Sequence, residues 1–457
     1  MAVLSQMARR TLTGWGRTNA TNADVVAVAN HEVAAALGAA GGRGVLVRGL
    51  GRSYGDSAQN SGGLVLQLEG SAHEAVLDEA AGTITVPAGV SLDDLLRRIV
   101  PRGWFVPVTP GTRFVTMGGA IASDVHGKGH HLTGSFGNHV RSLRLLLADG
   151  TVADVAPHRR ADLFWATIGG MGLTGVILDV TFALLPIETS RMTVDTTRLP
   201  DLDAVFAAME EGDADYRYSV AWIDPVGRGR HLGRSVLGRG DHATLAQLSP
   251  REQRDPLAYG PKVLATLPPL QLPVGLINRT TINAFNEVWF RKAPRHREGE
   301  VQTIATFWHP LDMVGGWNRL YGAKGMVQYQ FVVPFGQEGA IRAVLERLTE
   351  GGASSFLSVL KRFGPGNPAP LSFPREGWTL AVDLPVAIHG IAELLHGLDR
   401  IVLDAGGRHY LTKDGHTTPA AIAQGYPRLE EWKAVRRTVD PQGMWQSDQS
   451  RRLGLTD

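Results

Sequence analysis

Val47-Arg48-Gly49-Leu50-Gly51-Arg52-Ser53-Tyr54-Gly55-Asp56 places three glycines within seven residues, directly after the apolar run Gly44 to Val47 that reads as a buried strand. Glycine lets consecutive backbone N–H groups turn toward one point, and the resulting concavity suits an anion such as a pyrophosphate. The spacing is GxGxxxG, and the polar stretch Ser57 to Gly63 does not open a helix, so this is not the dinucleotide fingerprint of a doubly wound sheet. Taken alone, the stretch suits a plain tight turn equally well.

Three further glycine segments shift that balance. They are Pro110-Gly111-Thr112, then Thr116-Met117-Gly118-Gly119-Ala120-Ile121-Ala122 running into Ser123-Asp124-Val125-His126-Gly127-Lys128, and finally Ile168-Gly169-Gly170-Met171-Gly172-Leu173-Thr174-Gly175-Val176-Ile177. Glycine makes up 55 of 457 residues, well above ordinary usage of about 7%. Together the segments describe a chain that repeatedly brings bare backbone against one large flat group carrying phosphates.

Around these loops the first 185 residues alternate short strands and helices. Thr83 to Val86 predicts a strand, and Ser91, three residues before Asp94, caps a helix over Leu92 to Val100. Ser142 to Ala148 and Thr151 to Val155 flank Asp149-Gly150 as a hairpin, and Val176 to Leu184 is another strand. From about Thr189 the segments lengthen: Leu202 to Met209 and Glu338 to Thr349 predict helices, and Val327 to Val333 a strand. Ser249 to Ile282 is polar, then rich in proline and apolar, and is expected as a long mobile loop. Beyond Gly406 a strand over Arg408 to Thr412 and a helix over Leu429 to Thr438 return.

Composition narrows the function. Lys plus Arg number 46 and Asp plus Glu 44, a net charge of +2 that argues against a nucleic-acid partner. With 43% hydrophobic and 20% charged residues the chain is not disordered. The absence of cysteine removes disulfides, thiolate nucleophiles, Cys-ligated zinc and iron–sulfur clusters. No run approaches the ~20 apolar residues of a membrane span; the most apolar stretch, Val263 to Ile277, is broken by Pro268, Pro269 and Pro273. Arg9-Arg10-Thr11-Leu12 has the look of a twin-arginine signal, but Trp15, Gly16, Arg17, Asn19 and Asn22 follow instead of an apolar region, so no signal peptide is expected. His130 and His131 are adjacent, not at the i,i+4 spacing of a helical metal site, and no metal is expected.

In this order the four glycine segments resemble the FAD domain of the vanillyl-alcohol-oxidase/p-cresol-methylhydroxylase flavoprotein family. The resemblance runs nearly end to end, from Gly14-Trp15-Gly16-Arg17-Thr18 to Asp448 and Arg451-Arg452. Its most specific pieces are His126-Gly127-Lys128 with His130-His131, Ser135 to Ser142, His309-Pro310-Leu311-Asp312-Met313, Gln328-Tyr329-Gln330-Phe331 and Tyr410 to Asp414. It implies an α+β flavoprotein of two domains. An FAD-binding domain of two α/β subdomains would occupy residues 1–189 and 408–457, and a substrate-binding domain, an antiparallel sheet with flanking helices, residues 190–407. Many relatives attach FAD through a histidine of the first glycine loop; Arg52 stands there, which implies noncovalent FAD. The implied FAD contacts are Val47, Arg48, Gly49, Leu50, Gly51, Arg52, Ser53, Tyr54, Gly55, Asp56, Ser57, Gly111, Thr116, Met117, Gly118, Gly119, Ser123, Asp124, Val125, His126, Ile177 and Tyr410.

Within the family the resemblance is closest to members that oxidise the C2 hydroxyl of a polyprenyl-phosphoryl-β-D-ribose to the 2-keto sugar. That is the first half of an epimerisation supplying the arabinose donor for actinobacterial cell-wall arabinan. It places His126, Lys128, Gln328, Gln330, Lys361 and Lys413 around the sugar. Such an oxidation needs a base poised near neutrality, which burial or neighbouring cations make of a lysine or histidine. Lys413 and His126 are the two candidates, and Lys128, Lys361 or Arg319 would hold the substrate's phosphate. Trp222, Trp308 and Trp378 are either walls of the pocket or core residues. The chain departs from close relatives at Thr379, where Asn is usual, and at Ala381, where many carry cysteine. Both changes bear on pocket shape, and neither removes a group the oxidation requires.

The resemblance also implies a separate NAD(P)H-dependent short-chain reductase that completes the epimerisation, peripheral membrane contact, and a cell-envelope or periplasmic location. Two rival readings stand beside it: an alditol or aldonolactone oxidase of the same fold acting on a soluble sugar, and a binding protein that keeps the fold without catalysis.

Overall fold

The computed structural model describes residues 6–268, 279–353 and 355–456. Three sheets organise it. In the first, Thr21–Val28 pairs antiparallel with Ala8–Leu12 and parallel with Leu64–Leu68, which pairs parallel with Val45–Arg48 at the edge. Val45–Arg48 ends where the first glycine loop begins, and the polar stretch after that loop forms no helix.

The second sheet has the order Val76–Asp78, Thr83–Pro87, Val176–Ala183, Val140–Leu146, Val152–Val155, all antiparallel. The hairpin about Asp149-Gly150 is present, with Leu143 opposite Val155. Helix Leu92–Ile99 starts as its sequence dictates: the Ser91 side chain accepts from the Asp94 N–H, and Leu92, Leu95, Leu96 and Ile99 are buried. These elements share one apolar core with the first sheet, through Val26, Leu66, Ile84, Leu96 and Phe182 among others.

The third sheet carries the site. Its eight strands run His296–Thr303, Arg191–Leu199, Ser235–His242, Tyr218–Ile223, Ser358–Phe363, Gly377–Pro385, Met326–Val333 and Arg408–His409, antiparallel throughout. Side chains alternate between the faces of a strand. Tyr329, Phe331 and Val333, Trp378, Leu380 and Val382, and Leu360 join a core with helices Leu202–Gly212, Glu338–Glu350 and Ile391–Asp404. Gln328, Gln330, Thr379, Ala381, Asp383 and Lys361 therefore occupy the opposite face. Register aligns them: Gln330 lies opposite Ala381, Gln328 opposite Asp383, and Lys361 opposite Thr379. Every residue of Gly377–Pro385 is buried, so this second face is covered as well.

Two expectations need correction. The last strand is only Arg408–His409, because the Lys413 N–H bonds back to the Tyr410 carbonyl at 2.9 Å and the chain turns there. The segment 249–282 is not one irregular loop. Ser190 Oγ donates to the Ala258 carbonyl at 2.6 Å, Ala265–Thr266 pairs with Val314–Gly315, and residues 279–282 open helix Arg279–Lys292. Residues 269–278, most of the apolar run, lie outside the described residues. Among the described residues no helix is long and apolar enough to cross a membrane.

Candidate active site

The first glycine loop is pressed between two other segments. A Cβ at Gly49 would sit 2.2 Å from Thr116 Oγ1, and one at Gly55 1.8 Å from the Asp414 carbonyl oxygen. Gly51 has φ 63°, a left-handed conformation that favours glycine. Thr116 in turn caps helix Met117–Ala122 by accepting from the Gly119 N–H, and the Tyr54 N–H donates to the Thr412 carbonyl at 3.0 Å. Residues 47–57, 116–119 and 410–414, far apart in sequence, thus line one place.

Several side chains expected at the cofactor instead hold these loops. Arg48 donates to the Thr13 carbonyl at 2.8 Å and to that of Ala58. Asp56 accepts two bonds from Arg452, at 2.9 and 2.8 Å. Asp124 accepts from Ser135 Oγ, the Gly137 N–H, Asn367 and Ser372, and the Tyr410 hydroxyl donates to the Ser123 carbonyl at 2.8 Å. Consequently, the backbone of these residues is what faces a ligand. The cradle fits a large phosphate-bearing group. Ser57 Oγ is buried with no partner among the described residues, and a Cβ at Gly111 would meet nothing within 4 Å. Met117 and Ile177 are buried beside it.

His126 is enclosed by aromatic rings, its centroid 4.8 Å from that of Phe363, 5.4 Å from Tyr410 and 5.8 Å from Phe373. Burial, then the charge of Lys361, holds its pKa well below the usual histidine value, so the ring is neutral. Its tautomer follows from a chain of bonds. The Thr379 hydroxyl donates to the Phe331 carbonyl at 2.8 Å, so Thr379 Oγ1 accepts from the Gln330 amide at 3.4 Å. The same NH₂ group lies 3.0 Å from His126 Nε2, which must accept. The ring proton is left on Nδ1, which is buried and without a partner among the described residues.

Lys413 lies at the turn after Tyr410, its Nζ 4.0 Å from the centroid of the Tyr54 ring. Lys128, Lys361 and Lys413 are each half-buried. Desolvation lowers Lys413 to about 7, Lys361 to about 8 and Lys128 to about 7, with Lys361 further depressing the other two. Asp383, with no exposure, receives an N–H from Gln328 and is raised to about 7 by the same desolvation. It faces Lys413 electrostatically and opposes that lysine's fall. Lys128 Nζ donates to the Phe307 carbonyl and lies 5.5 Å from the Trp308 ring centroid.

The structure brings together His126, Lys128, Gln328, Gln330, Lys361, Thr379, Ala381 and Lys413. Trp222 shares the face of the sheet: it lies opposite Val359, which lies opposite Ala381. Trp308 is buried against Tyr218, centroids 4.6 Å apart, next to Lys128. Trp378 is core, its indole donating to Glu338 at 2.8 Å. Arg319 is not in this cluster; it lines a cleft with Arg17, Arg48 and Arg52. Arg52 lies over the Trp15 ring at 4.4 Å. Asp383 and Arg17 were missed by sequence reading. Asp383 was discoverable, since a period-2 reading of Gly377-Trp378-Thr379-Leu380-Ala381-Val382-Asp383 places a carboxylate in line with Thr379 and Ala381. Among the described residues no three His, Cys, Asp or Glu side chains are grouped to hold a metal ion.

Comparison with known proteins gives the following. A family model described as FAD binding domain matches residues 23–156, and one described as D-arabinono-1,4-lactone oxidase matches residues 385–453. The chain is 47% identical over 450 residues to the decaprenylphosphoryl-β-D-ribose oxidase of Mycolicibacterium smegmatis, covering 97% of each. It is 28% identical to the alditol oxidase of a Streptomyces species over 38% of this chain and 42% of that one. It is 34% identical to the L-gulonolactone oxidase of Mus musculus over 28% and 30% of the two chains.

Proposed function

This chain belongs to the decaprenylphosphoryl-β-D-ribose oxidase family, FAD-dependent flavoproteins of the vanillyl-alcohol-oxidase/p-cresol-methylhydroxylase fold, and from that premise we propose that it oxidises the C2 hydroxyl of a polyprenyl-phosphoryl-β-D-ribose. The product is the 2-keto sugar. The observation that supports this reading is the covered face of the eight-stranded sheet, where Gln328, Gln330, Lys361, Thr379 and Asp383 meet His126 and Lys413.

Bound FAD would supply the acceptor for the hydride that leaves C2. Its backbone cradle is residues 47–57, Gly111, Thr116 to Gly119, Ser123 to His126, Ile177 and Tyr410, and with Arg52 in the first loop the attachment is noncovalent. Lys413, held near neutrality, receives the hydroxyl proton on its neutral Nζ as the C2–O bond becomes a carbonyl. His126 is not the base: its Nε2 lone pair is engaged by Gln330, and its Nδ1 carries the ring proton and has no partner among the described residues. Gln328 orients Asp383, which keeps Lys413 from losing its proton affinity altogether. Lys361 and Lys128 flank the sugar.

The same proposal includes a division into residues 1–189 with 408–457 and 190–407, a separate NAD(P)H-dependent reductase acting on the keto product, and an envelope location. Peripheral membrane contact would use the exposed Val263, Leu264, Phe285, Val288 and Trp289.

The test is anaerobic mixing of the holoenzyme with a polyprenyl-phosphoryl ribose while flavin absorbance is followed. Bleaching is expected. Bleaching by a soluble alditol or aldonolactone, and none by the lipid-linked sugar, would establish the rival oxidase instead. Acid precipitation should release the yellow colour into the supernatant; a washed pellet that stays yellow would refute noncovalent attachment.

A further inference from the structure

A second cationic site lies apart from the lysines. Arg17, Arg48, Arg52 and Arg319 line a cleft of about 420 Å³ whose walls include Trp15 and Asn318 and no Asp or Glu. Their recorded hydrogen bonds go to backbone carbonyls: Arg48 to Thr13 and Ala58, Arg52 to Leu50, Arg319 to Leu267. Arg17 Nη1 is buried and has no partner among the described residues. Asp312, the carboxylate that acts on Arg52 through space, is already bound by Thr112 and Arg113.

Arg17 is also conformationally unusual. Its φ is 59°, in the left-handed region that non-glycine residues adopt only rarely. Neighbouring bonds impose it: the Gly16 N–H to the Tyr54 carbonyl at 3.1 Å, the Arg17 N–H to that of Gly14 at 3.1 Å, and the Met326 N–H to that of Gly16 at 2.8 Å. Strain of this kind concentrates at ligand sites.

A row of packed aromatic rings runs from the cleft to the surface. Arg52 stacks on Trp15, whose ring lies 5.9 Å from Trp317; Trp317 lies 6.5 Å from Phe356, and Phe356 5.8 Å from Phe285. Phe285 and Trp289 stack on each other on helix Arg279–Lys292, 44% and 45% exposed. In the other direction Arg52 is two residues from Tyr54, over whose ring Lys413 lies.

We infer that the arginine cleft binds the phosphodiester that joins sugar to prenyl chain, with the aromatic row carrying the first prenyl units outward. This rests on the proposed function. Arginine stays charged at any working pH and offers several donors to phosphate oxygens, whereas the enclosed lysines lose charge near neutrality. The pyrophosphate of FAD has the same phosphate-ester chemistry, and the loop Leu50 to Arg52 borders both, so the test must separate the two sources.

The experiment uses holoenzymes of the wild type, Arg17→Gln and Arg319→Gln, the second variant guarding against a folding defect in the first. Anaerobic flavin bleaching is measured against farnesyl-phosphoryl-β-D-ribose and against a phosphate-free farnesyl β-D-riboside. Each variant should raise the half-saturating concentration of the phosphodiester about tenfold or more, as loss of a charge-assisted bond does. The limiting bleaching rate, the FAD content and the response to the phosphate-free riboside should not change. Unchanged half-saturation, or loss of FAD with substrate affinity intact, overturns the inference; the latter assigns the cleft to the cofactor. If neither riboside bleaches the wild type, the proposed function fails. Calorimetric binding of farnesyl phosphate then decides the cleft: binding lost in the variants supports it, and binding unaltered by them overturns it.

Discussion

The lysine pocket and the arginine cleft differ in how the fold treats a positive charge. Lys128, Lys361 and Lys413 are enclosed near one another and brought down to about 7 or 8. Arg17, Arg52 and Arg319 line an open cleft, where a guanidinium has no accessible neutral form. The first arrangement makes groups that exchange protons; the second makes groups that only bind. The lysines are desolvated among other cations and brought near neutrality, whereas Arg48, Arg52 and Arg319, also half-buried, are held by backbone carbonyls and keep their charge.

The sharpest way to break this comparison is Lys413→Met. It should retain FAD and lose about 10²–10⁴-fold in anaerobic flavin reduction. Near-normal reduction would show that the desolvated lysine has no chemical part.

A smaller effect is expected of Thr379→Val, which removes the acceptor that orients the Gln330 amide toward His126. The limiting rate should fall about tenfold, the scale of one hydrogen bond left unmade in a buried network, while substrate half-saturation moves little. A change confined to half-saturation would show that Thr379 shapes binding alone.

Smallest is the effect of Lys361→Met on stability. An enclosed cation replaced by an apolar side chain of similar size is neutral to stabilising by about 1–4 kcal/mol. Because Lys361 is lowered from its ordinary value to about 8, the unfolded chain binds more protons between about pH 8 and 10. The wild type gains stability across that window, so the advantage of the variant should be full below pH 8 and fade by pH 10. Thermal unfolding at several pH values measures it, and a variant less stable than wild type at pH 7 would refute the desolvation argument.

How much of this was legible in the sequence differs between the same two regions. The cofactor loops depend on glycine spacing, a local property, and strands Val45–Arg48 and Thr83–Pro87 and helix Leu92–Ile99 fall where periodicity and the Ser91 cap put them. The eight-stranded sheet was hardly legible. Arg191–Leu199 mixes charged and β-branched residues, and the edge strand His296–Thr303 contains two glutamates, a glycine and no run of apolar residues. Such strands are fixed by partners distant in sequence rather than by their own composition. His126, Lys128, Gln328, Gln330 and Lys413 were found because they stand in motifs. Arg17 was quoted in one of those motifs but given no role, since nothing in a one-dimensional pattern shows that its turn faces Arg52 and Arg319.

The central claim is that Lys413, and not His126, accepts the substrate's proton. The pH dependence of the limiting anaerobic flavin-reduction rate tests it most directly, compared among wild type, Lys413→Met and His126→Gln. The rate should rise with pH through an apparent pKa near 7 that belongs to the Lys413–Asp383 pair. It should keep that dependence at lower amplitude in His126→Gln and lose it in Lys413→Met. A rise that persists in Lys413→Met and disappears in His126→Gln would make the histidine the base and contradict the account.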